Sequence, residues 1–311
     1  MRLRSVWVLL GGLLLASLAP AQAPPKSAKP AARIRIDKDL VLVPVTVCDQ
    51  FHRTMTGLAK EHFRLFADKV EQTVTDAWSD DSPIAIGLVF DTSGSMKDKL
   101  ERSRLAVDAF LNEANPEDEF LLVEFSDRPS LSVPLTRDAT EIQNRLTLTS
   151  PQGKTALLDA VYLALHEIKK STLSRKALLV ISDGGDNASR YRANELKNLV
   201  RESEVQIYGI GIYETLGARA ILPEEIYGPV LLAELAEISG GRHVPVDRVR
   251  ELPGIAARIG VELRNRYVLA FSPAAIQHDG RYHRLQVKLA PPPDMPPLRA
   301  YWRSGYYAPA E

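Results

Sequence analysis

Apolar and polar residues alternate from Val41 to Val47 and again from Val70 to Trp78, a period of two that predicts half-buried strands. Pro44 puts an edge or a bulge in the first. Between them, Lys60 to Phe63 reads as a turn of helix that leads into a strand ending at Phe66. Ile84 to Phe90 is different. No polar residue interrupts it, as expected of a parallel strand covered on both faces. From there strands and helices take turns. Helices are predicted over Lys99–Asn112, Ala139–Leu146, Ala156–Lys169, Ala193–Glu204, Leu231–Ile238 and Gly254–Leu263, and strands over Glu119–Phe125, Ser130–Leu135, Lys176–Ile181, Val205–Ile212 and Arg242–Val246. Gly240-Gly241 supplies a helix stop. After Asn265 the period returns to two, with strands at Arg266–Phe271, Tyr282–Leu289 and Leu298–Tyr306.

That order predicts an α/β fold, a doubly wound, mostly parallel sheet. The short strands at the two ends are too few to be stable separately. Pairing them with each other makes a small β-sandwich with the α/β domain inserted in it, and leaves fewer open edges than two separate appendages. The expected divisions are 35–80 for the first β segment, 82–248 for the α/β domain, 249–264 for a connecting helix, and 265–309 for the β segment that returns to pair with the first.

The first 34 residues follow another pattern. Arg2 and Arg4, the apolar run Val6–Leu18 and Ala21-Gln22-Ala23 have the layout of a cleavable signal peptide over 1–23. Residues 24–34, rich in proline and alanine, read as an extended tether. A periplasmic or secreted location is therefore expected, with no transmembrane segment after cleavage. Composition is ordinary for a globular chain of 311 residues, at 45% hydrophobic and 25% charged. Net charge is zero, and removing the leader takes only Arg2 and Arg4 from 39 basic residues against 39 acidic ones, so nothing favours nucleic acid. Cys48, the one cysteine, cannot close an intrachain disulfide and is expected to be a buried or half-buried strand thiol, with an intermolecular bridge as the alternative.

The chemistry is concentrated where the apolar run Ile84–Phe90 ends. Asp91-Thr92-Ser93-Gly94-Ser95-Met96 places a carboxylate and two hydroxyls on one tight loop, at the strand end where open α/β sheets carry their sites. An all-oxygen set suits a hard divalent cation. Such an ion needs further ligands, and two loops at the same sheet edge offer them. Thr155 precedes a helix in Gly153-Lys154-Thr155-Ala156, and Asp183 follows a strand in Ser182-Asp183-Gly184.

Asp91-x-Ser93-x-Ser95, then Thr155, then Asp183 resembles the metal-ion-dependent adhesion site of von Willebrand factor type A domains. That resemblance covers residues 82–248. It implies that the hydroxyls bind Mg²⁺ or Mn²⁺ directly and that the aspartates often act through water. The last coordination position is left for an Asp or Glu of a partner protein. The wider chain resembles a secreted type A subfamily abundant in Acidobacteria, on the strength of Leu58-Ala59-Lys60-Glu61-His62-Phe63, Leu235-Ala236-Glu237-Ile238-Ser239-Gly240-Gly241-Arg242, Leu263-Arg264-Asn265-Arg266-Tyr267 and Gly305-Tyr306-Tyr307.

The expected function is thus metal-dependent protein binding of an adhesion type, not enzymatic. Two alternatives are a metal-assisted hydrolase and a structural component of an envelope assembly. Against a hydrolase, the three loops hold no histidine and no Gly-x-Ser-x-Gly elbow. Gly153-Lys154-Thr155 is not a phosphate loop, because the first glycine that loop requires would fall at Leu148. Asp98 matches the first of two acidic residues that hold a second ion in integrin β subunits, but Lys99 replaces the other, and Asp98 reads as a first-turn acid of a helix. Asp186 is expected to solvate its loop or to support the site from outside. An assembly role adds the acidic stretch Leu222–Tyr227 as a cap over the metal face.

Overall fold

The computed structural model describes residues 40–183, 185–213, 223–273 and 279–310, with the backbone alone for 223–227. The signal-peptide and tether expectations, and the side chains of the acidic stretch at 222–227, lie outside the described residues.

In chain order the strands are β1 (Val41–Asp49), β2 (Phe63–Ala67), β3 (Val70–Gln72), β4 (Val74–Asp80), β5 (Ile84–Asp91), β6 (Glu119–Phe125), β7 (Pro129–Thr136), β8 (Arg175–Ser182), β9 (Gln206–Ile212), β10 (His243–Val246), β11 (Arg266–Phe271), β12 (Tyr282–Leu289), β13 (Leu298–Trp302) and β14 (Gly305–Tyr307). The helices are α1 (Leu100–Leu111), α2 (Ala139–Thr147), α3 (Leu157–Ile168), α4 (Ala193–Glu202), α5 (Pro223–Ser239) and α6 (Leu252–Arg264).

The fold class is the expected one. A six-stranded sheet runs in the order β10-β9-β8-β5-β6-β7. All its pairings are parallel except that of β7 with β6. Every residue of β5 is buried, as its unbroken apolar run requires of a strand covered on both faces. One face of the sheet packs on α1, α2 and α6 through residues such as Phe110, Ile142 and Ile259. The other packs on α3, α4 and α5 through Val161, Leu196 and Leu235. Gly87 in β5 permits close approach, because a Cβ there would meet Leu178 Cδ2 at 2.5 Å.

The end segments pair with each other. One sheet runs β13-β1-β11-β4 and the other β14-β12-β2-β3, so each mixes strands from both ends of the chain. Val43, Val45, Leu65, Leu269, Phe271 and Val287 form their shared core.

Four local expectations need correction. Val70–Trp78 is two strands, because the chain turns from one sheet to the other at Thr73. Leu298–Tyr306 likewise divides at Arg303-Ser304. In the second case the two halves, β13 and β14, face one core through Leu298, Ala300, Trp302 and Tyr306, whereas β3 is largely exposed and adds nothing to that core. The helix expected from Leu231 begins at Pro223 and passes through Pro229. The helix expected as a connection, α6, is also a core element, with Leu252, Ile255, Ala256, Ile259 and Leu263 in the cluster over the central sheet.

Candidate metal centre

Three loops at the carboxyl end of the central sheet carry the predicted ligands, and hydrogen bonds join them. Asp91 is the last residue of β5 and is fully buried. Its Oδ1 accepts the backbone N–H of Ser93 at 2.8 Å, which closes the loop into an Asx turn. Its Oδ2 accepts the Ser182 hydroxyl at 2.6 Å, which ties it to the neighbouring strand β8. The Ser93 and Ser95 hydroxyls lie 3.0 Å apart. Ser93 is buried and Ser95 exposed, so the pair leads from the floor of the site to its mouth.

The second loop is stitched to the first. Gly94 N–H donates to the Gly153 carbonyl at 3.0 Å, and Gln152 N–H to that of Thr92 at 2.8 Å. Gly153 adopts φ +80°, and a Cβ there would strike the Asp127 carboxylate, so this turn depends on glycine. The third loop grips Thr155. Its N–H donates to Asn187 Oδ1 at 3.0 Å, and its carbonyl accepts from Asn187 and Ala188. Asp91, Ser93 and Ser95 thus share one turn, Thr155 is held between that turn and the 183–188 loop, and Asp183 begins the latter.

The ends of the neighbouring strands β5 and β8 place the two carboxylates near each other. Burial, and after it the charge of Asp183, hold the Asp91 carboxyl well above the usual carboxylate range. Two like charges beside one another at a buried strand end are what a cation relieves. With three hydroxyls added, the donor set fits a hard divalent ion such as Mg²⁺ or Mn²⁺. Among the described residues no three His, Cys, Asp or Glu side chains converge to hold a metal. The set here rests on two carboxylates and three hydroxyls.

Sequence reasoning passed over several neighbours. Lys99 Nζ lies 2.9 Å from Asp183 Oδ2, and both side chains are largely buried. Ser182 and Asn187 position Asp91 and Thr155. Tyr213, at the end of β9, is close enough that burial and then the Asp183 charge raise its phenol pKa, and its hydroxyl meets His243 Nε2 at 3.0 Å. Asp98 is exposed, but it precedes Lys99, the N-cap of α1, so it lies outside the first turn that its sequence reading gave it. Asp186 accepts Leu158 N–H at 3.4 Å and the Ser189 hydroxyl at 2.6 Å, so it caps the start of α3 from another loop and does not merely solvate its own.

Residues 86–185 match the family model of the von Willebrand factor type A domain. That stretch runs from within β5 into the start of the third loop and contains all five predicted ligands. A solved von Willebrand factor type A structure from Catenulispora acidiphila superposes with a TM-score of 0.51 at 11% identity, covering 87% of this chain and 73% of its own. That similarity shows the fold. An aerotolerance-related membrane protein from Bacteroides fragilis aligns over 58% of this chain and 98% of its own, at 18% identity and a TM-score of 0.47. An uncharacterized protein of Borreliella burgdorferi is 27% identical over 177 residues, half of this chain. The match spans 52% of that relative's length. Among the described residues, no helix is long and apolar enough to cross a membrane.

Proposed function

We propose that this protein is an extracytoplasmic binding module that holds Mg²⁺ or Mn²⁺ through Asp91, Ser93, Ser95, Thr155 and Asp183 and uses it to bind an acidic residue of a partner protein. The observation that carries the reading is that the ends of the paired strands β5 and β8 carry Asp91 and Asp183, tied by the Ser182 hydroxyl on Asp91 Oδ2, with the Ser93–Ser95 hydroxyl pair on the same loop as Asp91. When bound, the ion supplies positive charge with a position open to a carboxylate oxygen. The chain's own residues do the rest. Asp91 braces the first turn through Ser93 N–H and is itself braced by Ser182. Asn187 orients Thr155. Three of the five donors are neutral hydroxyls, and an aspartate that acts through water does not touch the ion, so the ion would keep part of its charge to attract an anion. The leader-like pattern of residues 1–23 supports an extracytoplasmic location.

The test is calorimetric titration of Mg²⁺ and Mn²⁺ into the purified chain and into Asp91→Ala. Binding by the first and none by the second is expected. Equal affinity in the two would overturn the site. Capture of envelope or secreted proteins should then be lost on adding chelator, and lost in Asp91→Ala as well.

A further inference from the structure

The side chain that departs furthest from a simple cation site is Lys99. It follows the metal-loop turn at the entry to α1, where its N–H donates to the Met96 carbonyl at 2.9 Å and its own carbonyl accepts from Ser103. The backbone is therefore anchored at both ends. The side chain turns back into the site and its ammonium reaches Asp183 Oδ2 at 2.9 Å. The two side chains are only 12% and 11% exposed, so the contact is poorly screened, unlike a surface ion pair. No sequence rule calls for a lysine there: on a helix approach it reads as solvated.

We propose that Lys99 is a built-in counter-charge that occupies Asp183 in the metal-free protein and sets a threshold for divalent cation binding. The inference rests on the metal-site reading and deepens it. A Lys ammonium is a point charge with three donors and no acceptor, so it can neutralise Asp183 but cannot bring together the Ser93, Ser95 and Thr155 oxygens. A divalent cation does both. To take Asp183 into its coordination shell, directly or through water, the ion must displace the ammonium or share the carboxylate with it. Its charge also lies close to the Lys99 charge as long as the lysine stays. Two consequences follow. The empty site is stabilised, because the charge that repels Asp91 is already paired. Affinity for Mg²⁺ is held down, so the site fills only where the ion is plentiful. Partner binding would then follow the divalent cation concentration.

The experiment compares the wild type, Lys99→Met and Lys99→Arg, with Asp91→Ala as the empty control. Each is titrated with Mg²⁺ by calorimetry and melted with and without the ion. Met keeps the length of the stem without the charge, and Arg keeps the charge. Lys99→Met is expected to bind Mg²⁺ about tenfold tighter or more, a difference of about 1.4 kcal/mol per factor of ten. It should melt lower than wild type without metal and gain more on adding it. Lys99→Arg should stay close to wild type on both counts. Binding by Lys99→Met alone would support the inference in its strongest form. Equal affinities in wild type and Lys99→Met, with Asp91→Ala inactive, would overturn the counter-charge and leave the metal site standing. Tight binding by Lys99→Arg as well would overturn it too, because charge would not be the cause. Failure of all four proteins to bind would remove both readings.

Discussion

His283 shows how much one side chain depends on residues far along the chain. Its Nδ1 meets Asp68 Oδ2 at 2.7 Å and its Nε2 meets Asp279 Oδ1 at 3.2 Å. Burial opposes its charged form, but the two carboxylates outweigh that and raise its pKa. The carboxylates move the other way: backbone N–H groups of Arg284 and Arg281, and then the histidine, lower Asp68 and Asp279. A raised histidine contributes stability that is fully present below the ordinary value of about 6.5 and is lost as pH climbs through the folded value. The lowered carboxylates contribute above their ordinary range and lose it toward acid. The triad should therefore help most at mildly acidic pH. Thermal melts of His283→Gln against wild type are expected to differ most at about pH 5 to 6 and to converge above neutrality. A difference that grows with pH would contradict this. Cys48 is the opposite case. Burial, then the Glu262 charge, push its thiol up to about 12, so slow or absent reaction of the native protein with a thiol reagent is expected.

At the scale of elements, helix ends are legible where one residue type has no substitute. Gly240-Gly241 ends α5 in the predicted place. Gly240 takes φ +78°, and Gly241 N–H returns to the Ala236 carbonyl at 3.0 Å, the 6→1 bond of a Schellman cap. A Cβ on Gly241 would lie 2.1 Å from the Ile207 carbonyl oxygen in β9, and backbone cannot move aside as a side chain can. A Cβ on Gly87 would meet side-chain tips alone, Leu178 Cδ2 at 2.5 Å and Leu121 Cδ1 at 3.3 Å. Gly241→Ala should thus cost more than Gly87→Ala, about 3 kcal/mol or more against about 1 to 2, read from urea unfolding. The strands were less legible. Val70–Trp78 contains no glycine or proline to mark a break, yet Val70–Gln72 and Val74–Asp80 belong to different sheets. Alternation reports which side of a strand is apolar. It does not report which sheet the strand has joined.

At the scale of the whole molecule, arginines clamp the chain where it leaves the sandwich and where it returns. Arg266 donates to Asp80 Oδ2 at 2.6 Å, joining the strand before the insertion to the strand after it. Arg264 forks onto the fully buried Asp118, whose Oδ1 also accepts Ile84 N–H. Arg175, itself buried, bonds the carbonyls of Ser82 and Leu263. Arg242 pairs with buried Glu262 at 2.5 Å and reaches His52 at the tip after β1. Arg264→Ala leaves Asp118 buried without its cation and should lower unfolding free energy by about 3 kcal/mol, measured by urea denaturation. A loss under about 0.5 kcal/mol would mean the clamp adds nothing. By itself the sequence determined the α/β order, the buried β5 and the three loops that carry the candidate oxygen donors, because hydrophobic period and turn chemistry are local properties. Tertiary structure alone decided which end strands pair, that α6 belongs to the core, and that Lys99 lies against Asp183. Those depend on groups brought together from distant parts of the chain, and no local pattern records a distance across the fold.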